Sequence, residues 1–425
     1  MRYRRNVSAD ADIARALPAA PVPAGERIVA LDVLRGVALL GIFIMNMPGF
    51  AHSVFTPPAA DLGAIDRVVA SLREVLFAGK FNLLFGMLFG IGFTLQLRRL
   101  GAPVLPGATS GQTPTPTRAV VLVARRLGAL LAIGLVHAVL LWPGDVLVVY
   151  AVLGFGLLAL RDLPDRFVLA LLGLCLLYPA TAELLRALLF SFETETIAAF
   201  EYQDFELTNA AAFGHGTFLD AVRETARVFA WSYSSPLGLF SYAAFYVQMA
   251  TGILAGLLVG RRGWVTQLAD RGAGMRRVQR GLFALVVAAA AVEIVASLTL
   301  GATGGTFIGT LARTIGRAAL AAFYAVTVLR LVAAAPGTPL WLLPFATAGR
   351  MPLSNYLLQT LLAGAVFYGW GLGLWGRTGP AFQTLLALAL FFAVQLPLSS
   401  AWLARFRYGP VESLWRLLTY GRPAP

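Results

Sequence analysis

The sequence predicts an all-α polytopic integral membrane protein. About ten transmembrane helices are expected, with interfacial helices and one larger outward-facing segment. Three observations carry this. Of the 425 residues, 58% are hydrophobic and only 13% charged, whereas a soluble domain carries about a quarter charged residues. Mean hydropathy is +0.74. Apolar runs of bilayer-spanning length, about 20 residues each, recur from end to end. Most of them lack the polar face that a soluble helix needs.

The elements follow in order. Residues 1–26 are basic and rich in Ala and Pro, and are predicted to form a disordered cytoplasmic N-terminus. They lack an apolar core followed by a cleavage site, so no removable signal peptide is expected. The helical bundle is placed at 27–403, with its first span at 28–50. A partly polar stretch, 61–79, is expected to lie along the interface. The second span, 81–97, ends at Arg98-Arg99, and the loop 100–118 is rich in Pro, Gly, Ser and Thr and is expected to be mobile. Spans three and four, 127–142 and 146–160, form a hairpin, and the fifth covers 167–185. Residues 186–240 interleave Glu201, Asp204, Glu206, Asp220 and Glu224 with Phe, Tyr and Trp. They read as a folded extramembrane segment. Five more spans are placed at 242–259, 281–300, 307–331, 352–370 and 381–403. The tail, 404–425, reads as a cytoplasmic interfacial amphipathic segment with Glu412 and Arg416 as an i,i+4 pair.

The net charge of +13 does not indicate nucleic acid, because the arginines cluster at the ends of apolar runs and act as topology signals. The pairs Arg98-Arg99, Arg125-Arg126, Arg261-Arg262, Arg276-Arg277 and Arg405/Arg407 all fall on one side. That predicts a multi-pass membrane protein with both termini cytoplasmic and 186–240 facing outward. The lone Cys175 excludes an intrachain disulfide. No metal is expected. Membrane lipids are expected partners. Small residues such as Gly36, Gly41, Gly86, Gly90 and Gly92 allow close helix approach. That serves packing within one chain as well as between copies, so a homo-oligomer stays open.

A charged side chain at mid-membrane costs roughly 2.5–3.5 kcal/mol on insertion scales, so each needs a reason. In "ALDVLRGVALLGIFIMNMPGF", Asp32 and Arg35 are i,i+3 neighbours near the inner end, either an interfacial ion pair or a site for an anion. Asn46 lies toward the outer end. In "GLVHAVLLWPGDVLVVYAVLG", Pro143-Gly144 breaks a helix and Asp145 is placed to cap the next. His137 precedes the break by about a turn and a half. Two readings stay open: a buried histidine bonded to a neighbouring helix, or an imidazole that Asp145 orients as a general base. Glu293 is mid-span, with Arg313 and Arg317 on the next helix as structural ion-pair partners. In "AGRMPLSNYLLQT", Arg350 at a cytoplasmic helix start suits an anion, and Asn355 and Gln359 face inward as i,i+4 partners.

Five stretches together carry a resemblance: "LDVLRGVALLGIFIMN", "KFNLLFGMLFGIGF", "IGLVHAVLLWPGDVLVVYAVLG", "GRMPLSNYLLQT" and "FRYGPVESLWRLLTYG". In that order they resemble the YeiB-like family of bacterial inner-membrane proteins, labelled domain of unknown function 418. The opening LDxxRG pattern is also similar to the wider transmembrane acyltransferase superfamily, whose members take an acyl group from cytoplasmic acyl-CoA to a sugar on the far side through a histidine. The resemblance implies Asp32 and Arg35 at the shared opening motif, and His137 with Asp145 as the acid/base pair. His52 occupies a place loosely comparable to the key histidine of that superfamily's lysosomal heparan-α-glucosaminide N-acetyltransferase, but is expected in a solvated outer loop. His215 has no visible partner in the sequence.

The expected function is therefore a membrane acyltransferase. It would move an acyl group from cytoplasmic acyl-CoA to an outward-facing hydroxyl or amine, with a glycan or lipid as acceptor. His137 and Asp145 would be catalytic, and Asp32, Arg35, Asn46, Arg350, Asn355 and Gln359 would contact substrate. The alternatives are a transporter or flippase that uses the same polar residues as a path, and a sensor or scaffold in which they only hold helices together.

Overall fold

A computed structural model describes residues 29–53, 55, 62–101, 116–189, 192–264, 272–334 and 338–421. The expected disorder of 1–26, and most of the loop placed at 100–118, lie outside them. Every regular element among the described residues is helical. In order these are α1 (Val29–Ala51), α2 (Ala64–Leu76), α3 (Lys80–Gly101), α4 (Pro116–Leu140), α5 (Leu147–Ala159), α6 (Asp165–Leu189), α7 (Phe192–Asn209) and α8 (Phe218–Ser234). There follow α9 (Pro236–Arg261), α10 (Gly272–Thr299), α11 (Ala302–Ala333), α12 (Leu343–Arg350), α13 (Pro352–Phe367), α14 (Pro380–Leu390), α15 (Leu396–Arg405) and α16 (Pro410–Tyr420).

Among the described residues, eight helices are long and apolar enough to cross a membrane: Val29–Ala51, Ala64–Arg98, Ala119–Leu140, Asp165–Arg186, Pro236–Arg261, Gly274–Thr299, Gly304–Ala333 and Pro380–Arg405. Each of the ten expected spans has a helix, but two fall short. α5 has 13 residues and α13 has 16, about 20 and 24 Å at 1.5 Å per residue, against a hydrocarbon core of about 30 Å. Both sit inside the bundle. Val149, Tyr150 and Ala151 of α5 and Asn355, Thr360 and Phe367 of α13 are buried.

The bundle is centred on α1, whose Leu34, Ala38, Phe43 and Met47 are fully enclosed and which packs on α3, α12, α13 and α14. The α1–α12 crossing needs glycine on both sides. A Cβ at Gly36 would collide with the Phe345 carbonyl, and one at Gly349 with the Asp32 carbonyl. This backbone-to-backbone approach brings the end of α12, and with it Arg350, to the Asp32–Gly36 turn of α1.

The stretch 61–79 contains an amphipathic helix, α2, as expected. It turns Ile65, Val68, Leu72 and Val75 outward and lays its Asp66 on the start of α14, where Oδ1 accepts from Ala381 N (2.8 Å). The acidic segment is folded as expected. Thr217 and Asp220 form a capping box at the start of α8. Trp231 Nε1 donates to Glu201 (3.0 Å) and Arg227 pairs with Asp204 (2.5 Å), joining α8 to α7. Asn209 Nδ2 donates to Ser53 (2.9 Å), which ties the segment to the end of α1.

The tail departs from expectation. α16 is amphipathic, but Glu412 does not pair with Arg416. Its Oε1 accepts from the backbone N–H of Leu353 (2.7 Å) and Ser354 (3.1 Å), and its Oε2 from the Ser354 hydroxyl (2.5 Å). α13 starts at Pro352, leaving its first N–H groups without intrahelical acceptors, and a carboxylate there also meets the positive end of the helix dipole. That demand outweighs a surface i,i+4 pair, which is worth only a few tenths of a kcal/mol, roughly 0.3–0.5. Arg416 instead lies over Tyr408 and Tyr420 (4.4 and 5.1 Å to the ring centroids).

Candidate functional site: a buried carboxylate–imidazole–hydroxyl relay

α4 ends at Leu140 and the chain turns through Pro143-Gly144 into Asp145. Asp145 makes both of its expected contacts. Oδ1 accepts from Val148 N (2.7 Å) and so caps α5, while Oδ2 lies 2.7 Å from His137 Nδ1. The other ring nitrogen, Nε2, lies 2.9 Å from Thr360 Oγ1 on α13. Relative exposure is 1% for His137, 3% for Asp145 and 3% for Thr360, so water does not compete for these bonds. The carboxylate only accepts, which places the ring proton on Nδ1 and leaves Nε2 to accept from the threonine hydroxyl. An imidazole held in this orientation aims its second ring nitrogen at a hydroxyl.

The turn is braced from two further helices. Tyr356 OH on α13 accepts from Val146 N (3.3 Å), with its ring 5.2 Å from that of His137. Tyr242 OH on α9 donates to the Pro143 carbonyl (2.9 Å). Below Thr360 on α13, Asn355 and Gln359 face inward as expected, and both belong to a buried amide ladder. Asn355 Nδ2 donates to the Ala348 and Met351 carbonyls (3.1 Å each) and to Ser399 (3.0 Å). Gln359 Nε2 donates to the Leu39 carbonyl and to Gln395 Oε1 (3.2 Å each). Their amide donors therefore bind α1, α12 and the helix that leads into α15.

Around Arg126, about three turns before His137 on α4, lies a cluster of arginines. Arg35 pairs with Asp32 at 2.6 Å, as the i,i+3 spacing predicts. Arg126 stacks on Trp415 (3.9 Å), hydrogen-bonds Tyr420, and lies close enough to Arg416 and Arg35 to feel both charges. Arg416 Nε is a buried donor with no acceptor among the described residues. Like charges brought together in a low-dielectric setting repel, so the cluster is suited to a polyanion.

A family model described as "Protein of unknown function (DUF418)" matches residues 259–422. "Uncharacterized protein YxaH" of Bacillus subtilis (strain 168) is 30% identical over 417 residues, covering 94% of this chain and 96% of the relative. The chain belongs to the DUF418 family. "Uncharacterized protein YeiB" of Escherichia coli (strain K12) is 29% identical over 424 residues, with 94% and 98% covered. No solved structure matches.

In this DUF418 protein the expected site residues separate into three groups and one outlier, with Asn355 and Gln359 in the amide ladder. His137 and Asp145 meet at one end of α4. Asp32, Arg35 and the end of α12 with Arg350 gather near Arg126, in the first half of the same helix. Asn46 is half-buried on α1, and none of the bonds above reaches it. His52 is not in a solvated loop. It is half-buried beneath the acidic segment, with Nδ1 3.4 Å from the Ser53 carbonyl. Burial pushes its pKa below the usual imidazole range; the Ser53 bond opposes this and the Arg73 charge adds to it. His215 is exposed at the end of a π-helical turn. Glu293 pairs with Arg313 (2.7 Å), whereas Arg317 reaches Glu74 (2.9 Å).

Sequence reasoning missed Thr360, Tyr356, Gln395, Ser399 and Arg416. Thr360 and Tyr356 are i,i+4, each next to Gln359 or Asn355, and that spacing was the available signal. It marks a polar face without naming what the face meets.

Proposed function

We propose that this DUF418 protein is a membrane acyltransferase that moves an acyl group from acyl-CoA to the hydroxyl or amine of a glycan or lipid acceptor. The observation that carries the reading is the Asp145–His137–Thr360 relay, three groups in hydrogen-bond contact with the imidazole free to accept a proton. The acceptor's O–H gives its proton to Thr360 Oγ1 as Thr360 passes its own to His137 Nε2. The acceptor oxygen attacks the thioester carbonyl, the C–S bond breaks, and the departing CoA thiolate takes the proton back along the same path. Asp145 stabilises the imidazolium that forms between the two transfers.

The arginine cluster supports the donor half. Arg35, Arg126 and Arg416, with Arg350 nearby, suit the phosphates of CoA. Arg126 and His137 lie 11 positions apart on one helix, about 16 Å at 1.5 Å per residue, a distance the extended pantetheine arm spans. The basic pairs on that side support a cytoplasmic donor site with both termini cytoplasmic in the plasma membrane, and the relay near the outer face.

The test is thermal stability of the purified protein across an acetyl-CoA titration, with free CoA and ATP as controls, followed by transfer of labelled acetyl groups in vesicles. A ligand at a hundredfold excess over its dissociation constant adds about 2.7 kcal/mol to the folded state. The expected result is a saturable, CoA-specific shift that Arg126→Gln weakens, and label transfer that His137→Gln abolishes without unfolding the protein. No shift with any acyl-CoA, or full transfer by folded His137→Gln, overturns the reading and turns attention to a carrier without covalent chemistry.

A further inference from the structure

A second polar site lies away from the relay, between α6, α9, α10 and α11. It is a cavity of about 1120 Å³. Its walls run along α11 from Gly305 to Arg317, 12 residues or about 18 Å, close to the depth of one leaflet, about 15 Å. Leu176, Pro179, Phe240, Phe245, Ile294 and Leu298 supply apolar wall. Leu298 and Ile294 are 79% and 59% exposed, so the rim on α10 faces the hydrocarbon.

Charges of both signs line the same space in equal number: Arg313 and Arg317, Glu183 and Glu293. Ion pairs at membrane depth are costly and mark function more often than packing. The Glu293–Arg313 pair explains one carboxylate and one guanidinium, and Glu183 pairs with Arg186 (3.3 Å), so each carboxylate already holds one cation on one side. Neither explains Arg317, whose Nε is buried and has no acceptor among the described residues although its other end reaches Glu74. Thr306, Thr310 and Thr314 add an i,i+4 row of hydroxyls along the same wall.

We propose that this cavity is a binding site for a phospholipid with a zwitterionic headgroup. The lipid's phosphate accepts from Arg317 Nε and neighbouring donors, its ammonium group faces Glu293 and Glu183, and its acyl chains follow the apolar wall out into the bilayer. An anionic headgroup would leave the two carboxylates facing added negative charge. An uncharged lipid would leave Arg317 Nε without an acceptor. A zwitterion meets both needs, and both of its parts come with every molecule of an aminophospholipid in the surrounding bilayer. The inference is independent of acyl transfer. The two sites touch through α9, which lines this cavity with Phe245 and Gln248 and braces the relay's turn with Tyr242.

Native mass spectrometry of the delipidated full-length protein tests this, with phosphatidylethanolamine and phosphatidylglycerol of identical acyl chains added separately. The expected result is one phosphatidylethanolamine retained per chain, at least tenfold more tightly than phosphatidylglycerol. Arg317→Gln and Glu293→Gln should each lower that retention about tenfold (about 1.4 kcal/mol). Arg317→Lys, which keeps the charge and removes Nε, should also weaken it and serves if the glutamine variant does not fold. Equal retention of the two lipids by the wild-type protein overturns the proposal without any variant. So does wild-type retention by a folded Arg317 variant.

Discussion

His137 Nδ1 stands 2.7 Å from Asp145 Oδ2 across a Pro-Gly break, with both side chains out of contact with water. The same carboxylate caps α5 through Val148 N. A helix cap and a base-orienting group are usually alternative explanations for an aspartate. Here each oxygen takes one role, so the turn that places the carboxylate also fixes the imidazole.

Asp145→Asn separates the two roles. The amide oxygen still accepts from Val148 N, but an NH2 facing Nδ1 drives the ring proton to Nε2 and reverses the tautomer. Acyl transfer should fall about 100-fold or more, the usual worth of general acid–base catalysis. Stability should fall only by about 1–3 kcal/mol. Transfer rate and thermal midpoint, measured on the same preparation, check this.

Thr360→Val removes the hydroxyl at nearly constant shape and leaves His137 Nε2 buried without a partner, a loss of about 1–3 kcal/mol. Thr360→Ser retains the hydroxyl and should restore both stability and transfer. If the valine variant transfers at the wild-type rate, Thr360 takes no part in proton movement.

Glu412 predicts a pH dependence. Burial holds its pKa above the ordinary carboxylate value, although the Ser354 and Leu353 bonds pull it down. Between the ordinary and the raised value the folded state binds more protons than the unfolded state. This group's contribution to stability therefore declines as pH rises through that window, and is flat above it. Glu412→Gln should erase that slope while its amide oxygen still accepts at the start of α13. Midpoints of both proteins between pH 4 and pH 8 measure it.

Gly349→Ala should destabilise by more than the roughly 1–3 kcal/mol of ordinary overpacking, because the added Cβ meets the Asp32 carbonyl rather than a side chain able to move. Gly92→Ala, where a Cβ meets nothing, should be neutral or slightly stabilising through helix propensity. Their thermal midpoints give the contrast directly.

Much of this protein is determined by its sequence alone. Apolar run length decides which segments suit a bilayer, since an unsatisfied backbone or charge there is too costly. The Asp32–Arg35 pair and the Pro143-Gly144 break are equally legible, because their partners lie within a few residues on one helix or turn. The tertiary structure decided the rest. Thr360 reaches His137 across 223 residues, and Glu412 reaches Ser354 across 58. A buried polar group must find a partner, so the sequence announces the need. Which partner answers it depends on which helices cross, and those crossings are set by packing such as the glycine contact between α1 and α12. That is a property of the assembled bundle rather than of any one segment.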